Sequence, residues 1–578
     1  MEVILVGAIV FGIAYAITHR GSSRPTADDW QAPRPPAEGP PDSTSQLDGS
    51  GTQRAACVQL ARIEGRQLLR NETFLVGVFM SVAILVVFGV IWASDSTGAQ
   101  NSWRFGLAML PVFTLPFAGM TLVAMDVAAL RARRDGTEEL FDSLPASPTA
   151  RVGGHLGSVW MALVVQSLFV ACTFATGMFL TDRFGAIDPA SVGDVVVSFV
   201  LVCCAGSLAL ALARWLPHPL FALAALVALG IGGTALGGIG GSHWSLTRQL
   251  SIWPRYPDHD WLFAVRPSWW HAAYLLSLAL VVAIAAVARQ RRDRLILLLG
   301  VGAAFLAGVT GYAQTRPMED GDAARIAAMI SDPVRHSTCS TTDGLTLCAY
   351  DDYSDITEVW ARELTPPFAA VAPRRRAEGF TVTWHEPRID RLDPAVRELI
   401  DVDAIAAKRQ ADQATWNGVA VIGTESNAIN RLALGLWSVD LPLVPTGDAP
   451  CWVGGQARGV IALWVAAQGM GDNDAKFLVG GTWNGFGDSE SELPIPADWV
   501  GGYVWVGDAT PPVLWSAPDI SAAQAVLTRD ATVVRDLLWA DWSRWVDPAT
   551  TTEDLIAELG VTPLGTPSAT PDGLVACE

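Results

Sequence analysis

Long apolar runs separated by short polar stretches dominate the first half of the chain. A shorter run occupies residues 3–18, and seven longer ones lie near residues 74–92, 105–130, 156–180, 195–213, 220–239, 270–288 and 295–312. About 20 helical residues, at about 1.5 Å each, cross a hydrocarbon core. Because backbone groups in lipid must be bonded internally and these runs lack strand-like alternation, the pattern predicts about eight transmembrane helices.

The pattern changes after residue 313. Helical periodicity appears near residues 321–331, 354–364, 393–412, 425–438, 455–468 and 520–546, and shorter strand-like pieces lie at 345–349, 380–384 and 418–422. About 265 residues are enough for a hydrophobic core of their own. We therefore expect a separate C-terminal domain over 314–578 that is mostly α with minor β structure, its tryptophans filling the core.

Composition supports a membrane protein with an acidic attachment. The mean hydropathy is +0.31 and only 17% of the residues are charged. From Gln314 onward the chain holds 38 acidic and 18 basic residues, a balance of −20 within a total of −19. Nucleic acid needs clustered positive charge, so the acidic domain is not expected to bind it.

Arginines predict the orientation, because short loops rich in basic residues stay in the cytoplasm. If the run at 3–18 is counted as the first, arginines cluster after the third and the seventh run. The first cluster is Arg131, Arg133 and Arg134, and the second is Arg289, Arg291, Arg292 and Arg294. Both clusters fall on one side of the membrane if every run crosses once. The last span then delivers the C-terminal domain to the outside.

The cysteines agree with this orientation. Cys57, Cys172, Cys203 and Cys204 fall at cytoplasmic or membrane positions, where buried free thiols are expected. The even set in the C-terminal domain favours disulfides, which persist in oxidising compartments. Cys339 and Cys348 flank a short loop, "STTDGLTL", and are paired; Cys451 with Cys577 follows by elimination.

The first apolar run has two interpretations. "AYA" at 14–16 is typical of a signal-peptide cleavage site, but Glu2 is the only charge before the run and cleavage would put the arginine-bearing segment 54–70 outside. An extra transmembrane helix over 1–19 is therefore preferred. Residues 20–54, rich in Pro, Ser, Gly and Asp, predict a flexible cytoplasmic linker.

The polar stretch "RRDGTEELFDSLP" between two apolar runs predicts a short helix. Asp135 is a suitable N-cap, Glu138 completes a capping-box pattern and Pro145 ends the helix. Leu140, Phe141 and Leu144 then share one face, which is suited to docking into a groove of another protein. The alternative is a loop helix that merely lies on the membrane surface.

Here the sequence resembles the permeases of ABC-2 type transporters, in particular actinobacterial ones. "RRDGTEELFDSLPASPTARVGGHLGS" is similar to the segment that holds that family's coupling helix, which contacts the ATPase subunit. The resemblance implies that this role falls on the residues of the short helix: Glu138, Glu139, Leu140, Phe141, Ser143, Leu144 and Pro145.

A second resemblance lies upstream. "RIEGRQLLRNETFLVG" at 62–77 looks like the family's amphipathic elbow helix, with Arg62, Arg66 and Arg70 on one side and Glu64 between them. Six spans follow over 74–290, the size of the family's membrane unit. The expected domains are an extra helix, linker, elbow helix, six-helix unit, last transmembrane helix and extracytoplasmic domain, at 1–19, 20–54, 55–73, 74–290, 291–313 and 314–578.

What the resemblance implies is the membrane subunit of an ATP-driven exporter in a bacterial plasma membrane. The chain has no GxxxxGK[ST] phosphate loop, so it is not itself an enzyme, and ATP and Mg would be bound by a separate ABC ATPase. A second permease copy or a paralogue and membrane lipids are the other expected partners. The alternative is a membrane-anchored sensor or assembly factor whose outer domain binds a cell-envelope or secreted partner without transport.

Three remaining features predict no cofactor, metal or catalytic site in this chain. "GIGGTALGGIGG" at 230–241 follows a membrane span, and its small residues favour helix packing over nucleotide binding. "HEPRID" at 385–390 lacks the second histidine of a zinc helix. Asp126 is interpreted as an interfacial residue near Arg131 or Arg133 rather than as a functional charge in the membrane.

Overall fold

The computed structural model describes most of the chain outside its N-terminal segment and several connections. The described residues are 49–94, 103–136, 147–179, 187–239, 268–290, 293–314, 319–384, 394–401, 404–405, 419–422, 427–442, 451–471, 475, 513–562 and 575–577. The predicted first helix, 1–19, and most of the linker lie outside them.

Eight helices form the N-terminal half: α1 Gly49–Leu68, α2 Glu72–Ser94, α3 Trp103–Arg134, α4 Pro148–Phe179, α5 Pro189–Trp215, α6 Leu220–Ile239, α7 Ser268–Ala288 and α8 Arg294–Ala313. Each of the seven long apolar runs coincides with one of the helices α2 to α8. Five helices, α3, α4, α5, α7 and α8, are by themselves long and apolar enough to cross a membrane, and the bent pair α1–α2 would make a sixth. The chain is thus a helical membrane protein, and the count of eight spans stays a prediction.

The bend between α1 and α2 has a local cause. The two helices meet at 62° across a short break. Asn71 sits in the break, and its side-chain oxygen accepts hydrogen bonds from the backbone of Thr73 at 2.9 Å and Phe74 at 3.3 Å. This side chain therefore satisfies the first orphan donors of α2 and starts a new helix in a new direction. Phe74 is fully buried against Phe117 of α3 in an edge-to-face contact.

Helix α1 also extends into the predicted linker, because residues 49–54 are helical. Gln53 explains the extension, since its side-chain oxygen accepts a hydrogen bond from the backbone of Ser147 at 3.3 Å. A tertiary contact of this kind outweighs a linker-like composition, which reports only local preferences.

The membrane helices pack around α3 and α5. In the most apolar stretch of α3, 78% of the residues are buried inside the protein, whereas the corresponding share in α8 is 22%. Most of α8 is therefore left to contact lipid. Small residues permit the close approaches: a Cβ on Gly206 of α5 would lie 2.6 Å from a methyl carbon of Val159, and one on Gly119 of α3 would lie 2.7 Å from Leu226. Packing through small residues is typical of helices in lipid.

The C-terminal part has a core that runs from Ala323 to Cys577. Its helices are α9 Asp320–Ser331, α10 Ile356–Ala370, α11 Pro373–Arg376, α12 Pro394–Arg397, α13 Asn427–Ser438, α14 Ala457–Ala466, α15 Ala517–Leu527, α16 Ala531–Ala540, α17 Trp542–Trp545 and α18 Thr552–Leu559. Its strands are β1 Ser337–Thr342, β2 Leu345–Tyr350, β3 Phe380–Trp384, β4 Val419–Ile422, β5 Cys451–Trp452, β6 Val513–Leu514 and β7 Val575–Ala576.

Two sheets organise this part. In the order β1-β2-β3-β4, only β1 is antiparallel to its neighbour, while β2, β3 and β4 run parallel. Parallel neighbours require crossover connections, which α10 and α11 supply between β2 and β3. The second sheet, in the order β6-β5-β7, is parallel throughout. Trp384 ends β3 fully buried, with ring centroids 5.8, 5.6 and 5.9 Å from those of Tyr350, Tyr353 and Trp360.

The helical structure expected near 520–546 is present, but it is divided into three helices, α15, α16 and α17. Asp530 marks the first break: its carboxylate accepts hydrogen bonds from the backbone of Thr532 and Val533 and so begins α16. Helix α18 was not expected, although its start carries a capping box in which Thr551 and Asp554 exchange hydrogen bonds.

Both expected cysteine pairs lie at disulfide distance. Cys339 and Cys348 face each other across β1 and β2, with Cα atoms 4.0 Å apart. Cys451 and Cys577 join β5 to the end of the chain over a sequence separation of 126 residues. Bonds of this kind indicate an oxidising environment for the C-terminal part.

Candidate functional site

The ends of the membrane helices form two opposite faces. We call one face the arginine-rich end; α3, α5 and α7 end there and α4 begins there. At this end the Trp215 indole donates a hydrogen bond to the Ala285 carbonyl at 2.9 Å, and Arg289 stacks on the Trp215 ring. At the opposite end, the Trp269 indole donates to the Pro189 carbonyl at 2.9 Å. His271 and Gln314 are hydrogen-bonded there at 2.8 Å.

Helix α1 lies against the first half of α4 at the arginine-rich end. The contact needs glycine on α4: a Cβ on Gly154 would lie 2.7 to 2.8 Å from three carbons of Leu60, and one on Gly157 would lie 2.9 Å from the Ala61 Cβ. Real side chains do not approach so closely. The sequence "RVGGHLGS" therefore provides a flat surface on which α1 rests.

The remaining faces of α1 divide by polarity. Ala61 and Leu68 are buried, while Arg62, Arg66 and Arg70 are exposed. Glu64, also named as an elbow residue, is partly buried, with a side chain 15% exposed. An apolar stripe toward the protein and guanidinium groups on the other side are typical of a helix that lies at a membrane surface.

Contacts with α1 hold both flanks of residues 137–146. Before this segment, Arg131 of α3 donates to the Gln67 side-chain oxygen and lies 4.0 Å from the Glu64 carboxylate. After it, the backbone of Ser147 donates to Gln53. Gln53 and Gln67 are fourteen positions apart, about 21 Å along a helix. Helix α1 therefore contacts the two flanks at well-separated points.

The expected coupling residues, Glu138, Glu139, Leu140, Phe141, Ser143, Leu144 and Pro145, lie outside the described residues. The chain enters the segment through Gly136, whose φ of 68° is left-handed and favours glycine after a helix. It leaves through Ser147, whose hydroxyl accepts a hydrogen bond from the backbone of Ala150 at 3.1 Å and caps α4. Both neighbouring helices thus end or begin with a defined signal.

A contact at the opposite end was missed by sequence reasoning. Arg104, at the start of α3, lies 3.0 Å from the carboxylate of Asp188, the N-cap of α5, and donates to the Tyr353 hydroxyl of the C-terminal part at 2.8 Å. Burial raises the pKa of Tyr353, although Arg104 lowers it in part, so the hydroxyl is neutral and accepts this bond. The only sequence signal is an arginine beside an apolar run.

Asp126 is a buried residue of the helix bundle, and no hydrogen bond joins it to Arg131 or Arg133 in the part of the chain that the structure describes. Its side chain is fully enclosed, and neither carboxylate oxygen has a hydrogen-bond partner within the described ranges. Five residues turn an α-helix by about 140°, so Asp126 and Arg131 leave α3 on different faces. Arg131 contacts α1 instead, and Arg133 is exposed.

Among the described residues, no group of three or more His, Cys, Asp or Glu side chains is arranged to hold a metal ion. No family model matches the chain, and no curated protein is significantly similar to it. The geometry therefore defines a helical membrane protein with a disulfide-containing C-terminal part. Its candidate functional site is the arginine-rich end, where α1 contacts α3 and the start of α4 on the two flanks of residues 137–146.

Proposed function

We propose that this chain is the membrane subunit of an ATP-driven transporter, an exporter of the ABC-2 type. Residues 138–145 act as the coupling helix that docks on a separate ATPase, which binds ATP and Mg. The observation that carries the proposal is the pair of contacts from α1 to the two flanks of this segment. A docking element that is to transmit force needs such a fixed base.

Helix α3 supplies a route for that force. Its first turn holds Arg104, in contact with the C-terminal part, and its last turn precedes the coupling segment; the helix is 32 residues or about 48 Å long. Because α3 is also the most buried of the five spans, a displacement of its end moves its neighbours with it. Nucleotide-driven motion of the ATPase would thus reach both the bundle and the outer domain.

The charges support a cytoplasmic arginine-rich end and an extracytoplasmic C-terminal domain in a bacterial plasma membrane. Arg131, Arg133, Arg134 and Arg289 belong to the end that the positive-inside rule assigns to the cytoplasm. The two disulfides belong to the part joined to the other end of α8. Two such subunits, either copies or paralogues, complete the transporter with two ATPases.

The test is gentle extraction of the tagged chain from its host, followed by mass spectrometry and an ATPase assay. We expect the wild type to retain a phosphate-loop ATPase and Leu140→Arg and Phe141→Asp to lose it. Val334→Arg is the matched control, because it also puts a charge on an apolar position, 62% exposed, but in the C-terminal part. This control variant is expected to retain the ATPase.

Two results would contradict the proposal. Full retention of the ATPase and normal transport by both loop variants would remove the coupling role from residues 138–145. Absence of any ATPase, together with stoichiometric recovery of an extracytoplasmic protein, would favour the alternative, a membrane-anchored sensor or assembly factor that moves no cargo.

A further inference from the structure

A polar contact joins three helices inside the membrane bundle. Gln166 of α4 is fully enclosed, and its side-chain nitrogen donates to the hydroxyl of Thr114 on α3 at 2.9 Å and to that of Ser198 on α5 at 3.1 Å. Both hydroxyl groups are fully buried as well. By helix rise, Thr114 lies about 17 Å and Ser198 about 14 Å from the opposite end of the bundle, so the contact is near the middle of the membrane.

The hydroxyl protons fix the orientation of the Gln166 amide. Thr114 donates its proton to the Leu110 carbonyl at 2.9 Å, and Ser198 donates its proton to the Val195 carbonyl at 2.7 Å. Both hydroxyl oxygens are therefore acceptors toward Gln166, and the NH₂ group must face them. In the orientation found, only the Gln166 carbonyl oxygen lacks a partner. If the amide were flipped, both of its N–H donors would be buried without an acceptor.

This orientation leaves the Gln166 carbonyl oxygen without a donor. The oxygen is buried, and no hydrogen-bond partner is found for it in the part of the chain that the structure describes. Buried polar atoms in proteins are nearly always paired, either with protein groups or with ordered water. Lipid offers no donor, so the missing partner has to come from inside the bundle.

On α5, the stripe that reaches Gln166 is polar on one side of the contact only. On α5, buried polar residues follow helical spacing from the opposite end down to the contact: Ser191, Asp194 and Ser198. Beyond Ser198 the same stripe continues with Leu201, Val202 and Ala205, all buried and apolar. The polar stripe of α5 therefore approaches Gln166 from the opposite end and stops there.

We propose that Gln166 binds a water molecule through its carbonyl oxygen and that the polar stripe of α5 lines a hydrated path from the opposite end of the bundle to this residue. Water fits better than a cation, because the Thr114, Ser198 and Gln166 groups at the contact are neutral and only one oxygen is uncommitted. The apolar stripe beyond Ser198 closes the path. This inference stands whether or not the chain is a transporter.

Cysteine accessibility tests the path in the full-length chain. The four free cysteines, Cys57, Cys172, Cys203 and Cys204, are first replaced by alanine. Ser198→Cys and the control Val197→Cys are then reconstituted in lipid nanodiscs and treated with a small, water-soluble, charged thiol reagent. The two positions share a depth and are both almost fully buried, and they differ in the direction that they face. Thiol reactivity requires the thiolate, which forms in water and not in an apolar core.

We expect Ser198→Cys to react faster than Val197→Cys by at least about tenfold. Gln166→Leu, added to Ser198→Cys, removes the water-binding carbonyl and should slow the reaction to the control rate. Unfolding each variant in detergent must make the thiols equally reactive, and an unchanged melting temperature shows that Ser198→Cys is folded. If Ser198→Cys fails to fold, Thr114→Cys replaces it, because its side chain reaches the same contact from α3.

Equal slow rates at the two folded positions would overturn the proposal, since they would mean that the bundle is dry at Gln166. Equal fast rates would overturn it too, because the reagent would then reach the helix from any side. A fast rate at Ser198→Cys that Gln166→Leu does not change would leave an open polar path but remove Gln166 as its water-binding end, and the assignment would be wrong.

Discussion

The two disulfides of the C-terminal part provide a controlled comparison of cross-link energetics. The Cys451–Cys577 bond spans 126 positions and the Cys339–Cys348 bond spans 9. In the chain-entropy model, these loop lengths correspond to stabilisation of about 5 and about 2.6 kcal/mol. We therefore expect the variant Cys451→Ser/Cys577→Ser to lose about 2 kcal/mol more than Cys339→Ser/Cys348→Ser.

The native hydrogen bonds around Cys577 make this comparison interpretable. Its backbone N–H donates to the Trp452 carbonyl at 2.9 Å, and its carbonyl accepts bonds from Arg458 and Gln456. These bonds do not involve sulfur, so the serine variant can keep β7 in place. The loss is then expected to come mainly from the greater freedom of the unfolded chain.

The assay is urea unfolding of the full-length chain in detergent, with pulse proteolysis used to quantify the intact C-terminal part. With a urea dependence of about 1–3 kcal/mol/M, the variant without the long-range bond should unfold about 1 M of urea below the other variant. Equal midpoints, or a lower midpoint for Cys339→Ser/Cys348→Ser, would refute the reasoning, because loop length would then not control the effect.

Three further predictions concern the same chain. Gly435→Ala should destabilise the C-terminal part by about 1–3 kcal/mol, because its Cβ would lie 2.2 Å from a backbone oxygen of α14. The control Gly321→Ala, whose Cβ would have no atom within 4 Å, should not destabilise it. The urea unfolding midpoints of the two variants are compared. Arg104→Met and Tyr353→Phe should show a coupling energy of about 1.5 kcal/mol in a double-mutant cycle of thermal stability in nanodiscs. Hydrogen bonds from Thr551, the capping residue of α18, lower the pKa of Asp554. The free energy of unfolding that Asp554→Asn removes should therefore be constant above the ordinary carboxyl pKa of about 3.9 and should vanish as the pH falls through the lower pKa of the folded state. Urea unfolding of both proteins at several pH values measures this loss.

Features with a local signal were predictable from the sequence. The apolar runs coincide with α2 to α8, and the three strand-like pieces coincide with β2, β3 and β4, because length and side-chain periodicity act within a single element. The Cys339–Cys348 pair was equally local. The break at Asp530 was overlooked although its capping signal is also local, because helical periodicity continues across it.

Features that depend on distant partners were not predictable. The parallel order of β2, β3 and β4 follows from crossovers that no strand pattern encodes. The Arg104–Tyr353 contact joins residues 249 positions apart, and Gln166 meets Thr114 and Ser198 only because three helices pack together. For the two side-chain contacts, the residue type alone indicates that a polar partner is required without indicating which one.

Helix α3 connects these non-local features, and its prolines decide how it can do so. Arg104, Thr114 and Arg131 lie on this one helix, at the contact with the C-terminal part, the polar contact with α4 and the contact with α1 respectively. Pro111 and Pro116 lie inside the helix close to Thr114, and each removes one backbone hydrogen bond. A helix bends most readily at such a point. Under the proposed function, a pull on the coupling segment would therefore bend α3 beside Gln166 before it displaced Arg104, so the polar contact would respond first and the outer domain second.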